Sequence, residues 1–137
     1  VDGYHSDMTR TVCLGEPTDK MREVYNTVLE AQLKGLEALH NGISGVDADT
    51  AAREVIEKAG YGKNFGHGLG HGVGVEIHEA PRLSPKAPHV LRTGHVVTVE
   101  PGIYLPDEFG VRIEDMVVVT KNGCNNLTKA AKSLIII

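Results

Sequence analysis

The chain has 137 residues, 41% hydrophobic and 23% charged, a balance that suits one globular domain or a large piece of one and excludes a disordered polymer. A net charge of −4 with scattered Lys and Arg argues against nucleic acid, which calls for a basic patch. Cys13 and Cys124 are too few for a disulfide framework, and no run reaches the roughly 18 apolar residues of a membrane span, so a cytoplasmic protein with reduced thiols is expected.

Val1-Asp2-Gly3-Tyr4 reads as the tip of a hairpin whose first strand lies outside the chain, which leads us to expect a fragment of a longer protein. From His5 to Val12 residues alternate as in a strand, and Asp7 shares a face with Thr9 and Thr11. Gly15-Glu16-Pro17 ends that strand and Thr18 is placed to cap a helix. Met21, Val24, Tyr25, Val28, Ala31, Leu36 and Leu39 form its apolar stripe, and His40-Asn41-Gly42 stops it. A second helix is expected from about Asp47, with Val46 as a staple, through Ala51, Ala52, Val55, Ile56 and Ala59 to Gly60.

Between Gly60 and Gly74 the glycine density rules out a helix and implies that backbone passes close to something. His95 to Glu100 alternates again: Val97 and Val99 face away from Val96, Thr98 and Glu100, and Pro101-Gly102 ends the strand at its carboxylate. Val111 to Thr120 reads as one strand with Arg112, Glu114 and Met116 on one side. Asn122-Gly123 signals a hairpin turn, and Leu134 to Ile137 an edge strand or packed end. Two helices beside several antiparallel-type strands imply an α+β fold.

Asp7, Glu100 and Glu114 stand at strand ends or on strand faces beside Gly and Pro, with three histidines, His67, His71 and His78, in the glycine-rich run. Three carboxylates aimed at one spot would repel each other unless a cation sits among them. Three carboxylates with one imidazole suit Mn²⁺, Co²⁺ or Zn²⁺ in a hydrolase. Each acid taken alone reads more readily as an ordinary surface group, and a lone histidine as a structural hydrogen bonder; their grouping points to function. For Arg112, charge balance for Glu114 and orientation of a ligand both stay open. His5, His40, His89 and His95 lack this context and receive no role.

The motifs SDMTRT, GHGLGHGVGVEIHEAP, TVEPGIY and GVRIEDMVVVT, in that order, resemble those of the pita-bread metallopeptidases, which include proline dipeptidase, Xaa-Pro aminopeptidase and methionine aminopeptidase. Asp7, His71, Glu100 and Glu114 follow one another at separations of 64, 29 and 14 positions, as in the proline-directed branch. The resemblance implies a partial pita-bread fold over residues 1–137, the C-terminal part of a catalytic domain. It implies two divalent ions with a hydroxide held between them as nucleophile. Asp7 and Glu114 would bridge the ions, and His71 and Glu100 would be terminal ligands. His67 and His78 would line the substrate pocket and steady the tetrahedral intermediate, Glu100 would shuttle protons, and Arg112 would contact substrate. The implied reaction is cleavage of the Xaa-Pro bond in peptides with proline second, by a parent enzyme expected to be a homodimer.

Methionine aminopeptidases of the family usually carry Gln-x-Glu-His where this chain has Arg112-Ile113-Glu114-Asp115. A methionine aminopeptidase-like or broader aminopeptidase is the alternative enzyme, and a noncatalytic peptide-binding module the alternative of another class. A further family aspartate lies eleven residues before the one matching Asp7, ahead of Val1, and Asp2 is out of phase with Asp7 on a strand. The 137 residues alone are therefore expected to bind the second ion weakly and to be nearly inactive.

Overall fold

A computed structural model describes residues 1–137. Thr18 caps α1 (Asp19–Ala38): its hydroxyl accepts a hydrogen bond from the Met21 amide at 3.2 Å, satisfying one of the donors that a helix start leaves open. The helix buries Val24, Tyr25, Val28, Ala31, Gln32 and Gly35, so the expected stripe is the packed face, with Met21 and Leu36 half-buried at its margins. The second helix, α2 (Gly45–Lys58), starts two positions before the expected Asp47. Ser44 is its cap, taking the Asp47 amide at 3.0 Å.

Five strands form the main sheet, β2 (Gly70–Gly72), β3 (Glu79–Leu83), β4 (Val96–Val99), β7 (Asp115–Thr120) and β8 (Gly123–Asn126), in the order β3-β2-β4-β7-β8 with all pairs antiparallel. Val97 and Val117 are register partners, and with Val99 and Val119 they join Val24, Val28, Ala31 and Ile56 of the helices in the core. The alternation along β4 follows the expectation. One face of the sheet is covered by helices, and the other is left for Thr98 and the residues beside it.

The expected single strand over 111–120 is two strands in different sheets. β6 (Phe109–Arg112) pairs with β5 (Gly102–Leu105), and β7 begins only at Asp115. The break falls at Glu114 because its amide donates to the Thr9 carbonyl at 3.1 Å, an isolated bridge to the N-terminal segment. That segment, expected as a strand over 5–12, is extended but forms a ladder only at β1 (Val12–Cys13), parallel to β9 (Ile135–Ile136). Side chains take over the pairing elsewhere: the Thr11 hydroxyl donates to the Arg112 carbonyl and accepts from its amide, at 2.9 and 3.1 Å.

Val1 to Tyr4 forms the expected turn, closed by the Tyr4 amide on the Val1 carbonyl, with Asp2 and Gly3 both at positive φ, the pattern of hairpin tips. The β7–β8 turn is displaced by one residue from the expected Asn122-Gly123. Thr120 pairs with Gly123, so Lys121-Asn122 is the connection, and neither has positive φ. No helix is long and apolar enough to cross a membrane.

The glycines of β2 are demanded by neighbouring backbone. A Cβ on Gly70 would lie 2.0 Å from the Thr98 carbonyl oxygen, and one on Gly72 would lie 2.3 Å from that of Ala80. Gly70→Ala is expected to destabilise the protein by about 3 kcal/mol, since the obstacle is main chain and cannot rotate away. A denaturant midpoint unchanged by this substitution would contradict the close approach.

Candidate metal centre

The open face of the sheet collects the four expected ligands from four separate elements. Asp7 comes from the extended N-terminal segment, His71 from the middle of β2, Glu100 from the residue after β4, and Glu114 from the residue before β7. His71 Nε2 lies 3.1 Å from Glu100 Oε1 and 3.6 Å from Asp7 Oδ2. His71, Glu100 and Glu114 each present a ligand atom within 4.8 Å of the others, and so do Asp7, His71 and His78. The second grouping is an addition to the sequence reading, which put His78 only in the substrate pocket. Its ring meets that of His71 edge to face, with centroids 4.3 Å apart.

Three of the four candidate ligands, His71, Glu100 and Glu114, are held by a neighbour. The His71 amide donates to the Thr98 hydroxyl at 3.0 Å, and that hydroxyl donates to Glu100 Oε1 at 3.0 Å. His71 Nδ1 lies 3.1 Å from the Gly72 carbonyl. A carbonyl only accepts, so Nδ1 carries a proton and Nε2 is the nitrogen turned toward the carboxylates, the arrangement a metal-ligating histidine needs. The Thr9 hydroxyl donates to Glu114 Oε2 at 2.5 Å.

The electrostatics describe a site short of positive charge. Burial pushes the Glu114 carboxyl up from 4.5 to about 7; Glu100 and Asp7 add to the shift, while the Thr9 hydrogen bond and Arg112 oppose it. Burial lowers the His71 pKa, but Glu100, the Gly72 carbonyl and Asp7 outweigh it and the net shift is upward. Burial raises the Glu100 pKa, and the contacts to His71 and Thr98 overcome this to hold it low. Both shifts favour the protonated forms of Glu114 and His71, as expected where carboxylates are gathered with no cation among them. The donor set, mostly oxygen with one imidazole nitrogen, fits a divalent ion of the Mn²⁺, Co²⁺ or Zn²⁺ type.

This sets a pH dependence. A group with a raised folded pKa contributes stability that is present below its unfolded pKa and lost as pH rises through the folded one. For Glu114 the window runs from about 4.5 to about 7, and His71 acts in the same direction above its ordinary value of 6.5. Without divalent ions the protein is expected to lose up to about 3 kcal/mol across the Glu114 window. Added Mn²⁺ or Co²⁺, which binds the deprotonated ligands, is expected to raise the melting temperature more at pH 8 than at pH 6. A metal-induced shift that grows toward acid pH would contradict this assignment.

A cleft of about 440 Å³ borders the centre, lined by His67, His71, His78, Glu100, Arg112 and other polar or glycine residues, with no hydrophobic side chain. His67 Nδ1 lies 2.8 Å from the Gly68 carbonyl, so it carries the proton, and Nε2 accepts from the Tyr104 hydroxyl at 2.9 Å. Tyr104 was missed as a contributor, although TVEPGIY contains it. Arg112 Nε donates to the Thr9 hydroxyl at 3.1 Å, so it both lines the cleft and supports Glu114 through Thr9. The two open readings of Arg112 are compatible.

Also missed was Asp115, fully buried behind Glu114 and facing the helices. Its carboxylate takes hydrogen bonds from Arg10 at 2.7 Å, Lys132 at 2.5 Å, Gln32 at 3.0 Å and Asn126 at 2.5 Å. Arg10 also donates to the carbonyls of Thr9 and Glu114 at 2.8 and 2.7 Å. The neighbours of both ligand-bearing segments are therefore tied to one buried charge. Asp2 is exposed in its turn and belongs to neither ligand grouping.

The sequence profile of metallopeptidase family M24 matches residues 1–121. The chain belongs to this family. Among its M24 relatives, an Xaa-Pro dipeptidase of Pyrococcus horikoshii is 52% identical over 132 residues, which are 96% of this chain and 38% of that protein. The structure superposes on an Xaa-Pro dipeptidase from Bacillus anthracis with a TM-score of 0.97 at 53% identity, covering 98% of this chain and 38% of the other. It also matches an X-Pro aminopeptidase from Thermotoga maritima with a TM-score of 0.96 at 46% identity, covering 99% and 38%. The chain thus spans about 38% of the length of these relatives. With two helices on an antiparallel sheet, it has a partial pita-bread, α+β architecture.

Proposed function

We propose that the chain is the C-terminal part of the catalytic domain of a metal-dependent exopeptidase that hydrolyses the bond preceding proline and releases the N-terminal residue. The observation that carries this reading is the convergence of Asp7, His71, Glu100 and Glu114 beside a polar cleft. The names of the relatives, Xaa-Pro dipeptidase and X-Pro aminopeptidase, supply the substrate class. In this reading Asp7, His71, Glu100 and Glu114 would hold the divalent ions of the site. When bound, such ions lower the pKa of water to make a nucleophile at neutral pH and polarise the scissile carbonyl.

The chain's own groups complete the chemistry. His67 and His78 border the cleft beside the ligands, where they orient the carbonyl and meet the charge that develops on its oxygen. Glu100 carries protons between water and the leaving amine, and Arg112 orients the substrate from the other wall. Two free thiols, Cys13 and Cys124, support a cytoplasmic setting. A homodimer is the proposed state of the full-length protein.

The test is hydrolysis by the full-length protein with Mn²⁺, Co²⁺ or Zn²⁺ of Xaa-Pro dipeptides, longer peptides with proline second, and peptides beginning with Met. Cleavage before proline is the expected result, and the first two substrates separate dipeptidase from aminopeptidase. Peptide binding without hydrolysis under any of the three metals would favour a noncatalytic module. For the 137 residues alone, calorimetric titration with Mn²⁺ or Co²⁺ is expected to give one tight ion and one weak one, with little activity. Two equally tight sites would overturn that part.

A further inference from the structure

One charged pair has no role so far, the buried Asp49 and the half-buried Arg53 on α2. Both lie on the helical layer, yet their hydrogen bonds go to the glycine-rich loop. Asp49 is 1% exposed. Its carboxylate binds Arg53 in a fork, with Nε to Oδ2 at 2.6 Å and a terminal nitrogen to Oδ1 at 3.0 Å, and takes the Leu69 amide at 2.9 Å. The Arg53 guanidinium then donates to the Phe65 carbonyl at 3.0 Å and to the His67 carbonyl at 2.7 Å, and lies 4.1 Å over the Phe65 ring. The Leu69 carbonyl accepts from the Glu100 amide at 2.8 Å.

Helical charge and loop backbone are thus joined over residues 65 to 69, on both sides of His67 and at Leu69, the residue whose carbonyl receives the Glu100 amide. A loop rich in glycine has many accessible conformations and no intrinsic reason to hold one. A planar guanidinium that bridges two carbonyls while locked to a buried carboxylate supplies the missing constraint. We propose that Arg53, anchored by Asp49, is a positioning residue that fixes the loop backbone and so directs His67 into the cleft. Its role in turnover rests on the proposed peptidase reading; its role in the loop does not. Arg53 does not line the cleft beside the ligands and touches no ligand side chain.

Two measurements on the full-length protein decide it. The first is amide hydrogen exchange in Arg53→Lys, which keeps the positive charge against Asp49 and loses the fork. Exchange across residues 65–69 is expected to rise about tenfold or more, while Ile56 in the core of α2 stays protected. Unchanged exchange in the loop, or equal loosening of α2, overturns the proposal. Should Arg53→Lys fail to fold, Asp49→Asn is measured instead, which keeps an acceptor for Leu69 and removes the anchoring charge.

The second is a double-mutant cycle on kcat for an Xaa-Pro substrate. Arg53→Lys is expected to lower kcat about tenfold with KM changed less than about twofold, and to have almost no further effect in a His67→Ala background. Additive losses would show that Arg53 does not act through His67 and would also overturn the proposal. If the wild-type protein cleaves no Xaa-Pro substrate, the peptidase reading fails by itself, and the exchange experiment still decides whether the loop is held.

Discussion

Glu114→Gln is expected to lower Xaa-Pro hydrolysis by the full-length protein more than about a hundredfold, and at the same time to stabilise the metal-free protein at pH 8. Loss of an outer-shell partner already weakens metal sites by about ten- to a hundredfold, so loss of a side chain in the proposed ligand set is expected to exceed that. The gain in stability has the opposite origin. Glu114 is 2% exposed and stands among Glu100 and Asp7 with its pKa at about 7, so at pH 8 the metal-free fold holds an ionised carboxylate that it disfavours. Gln keeps the shape and the hydrogen bond from Thr9 while removing the charge, for a net gain of about 1 kcal/mol. At pH 5 the wild-type group is protonated and the difference is expected to vanish. A variant that loses activity and is destabilised equally at both pH values would point to a structural acid instead of a ligand.

Asp115→Ala is expected to cost about 3 kcal/mol, the largest single loss we anticipate from a polar residue outside the ligand set. The carboxylate is fully buried and faces Arg10 and Lys132; without it both cations remain packed with no counter-charge. Burial raises the Asp115 pKa, but the bonds from Lys132, Arg10 and Asn126 override it and hold the group below the ordinary carboxylate range. A depressed pKa contributes stability present above the unfolded value and lost only as pH falls through the folded one. Urea unfolding at pH 7 and at progressively lower pH separates this from Glu114, because the Asp115 contribution declines toward acid while that of Glu114 is fully present there. Since Arg10 also holds the carbonyls of Thr9 and Glu114, divalent-ion affinity is expected to fall roughly tenfold. Full retention of stability at neutral pH would refute the assignment.

The legible parts of the chain were those whose signal is local. Thr18 before an amphipathic run identifies a cap and a helix, and alternation around Val97 and Val99 separates a core face from a site face. Residue type and motif order singled out all four candidate ligands, which the structure brings together. Ser44 could have been recognised as a cap, because a hydroxyl three residues before Asp47 is a standard start signal. The break at Glu114 could not, because the pattern from Val111 to Thr120 is continuous and only the distant Thr9 carbonyl interrupts it.

Asp49, Arg53, Tyr104 and Asp115 were hidden for the same reason. An acid on a helix reads as solvated until the fold shows the Leu69 amide waiting beneath it, and Asp115 beside a ligand looks like one more surface charge until Arg10 and Lys132 close over it. By itself the sequence determined the two helices, the sidedness of β4 and the candidate ligands with their order, because periodicity, capping and side-chain chemistry are properties of short stretches. Tertiary structure alone decided which charges are buried together, which histidine nitrogen faces the acids, and why Gly70 and Gly72 must be glycine. Those depend on backbone and side chains far apart along the chain meeting at hydrogen-bond distance.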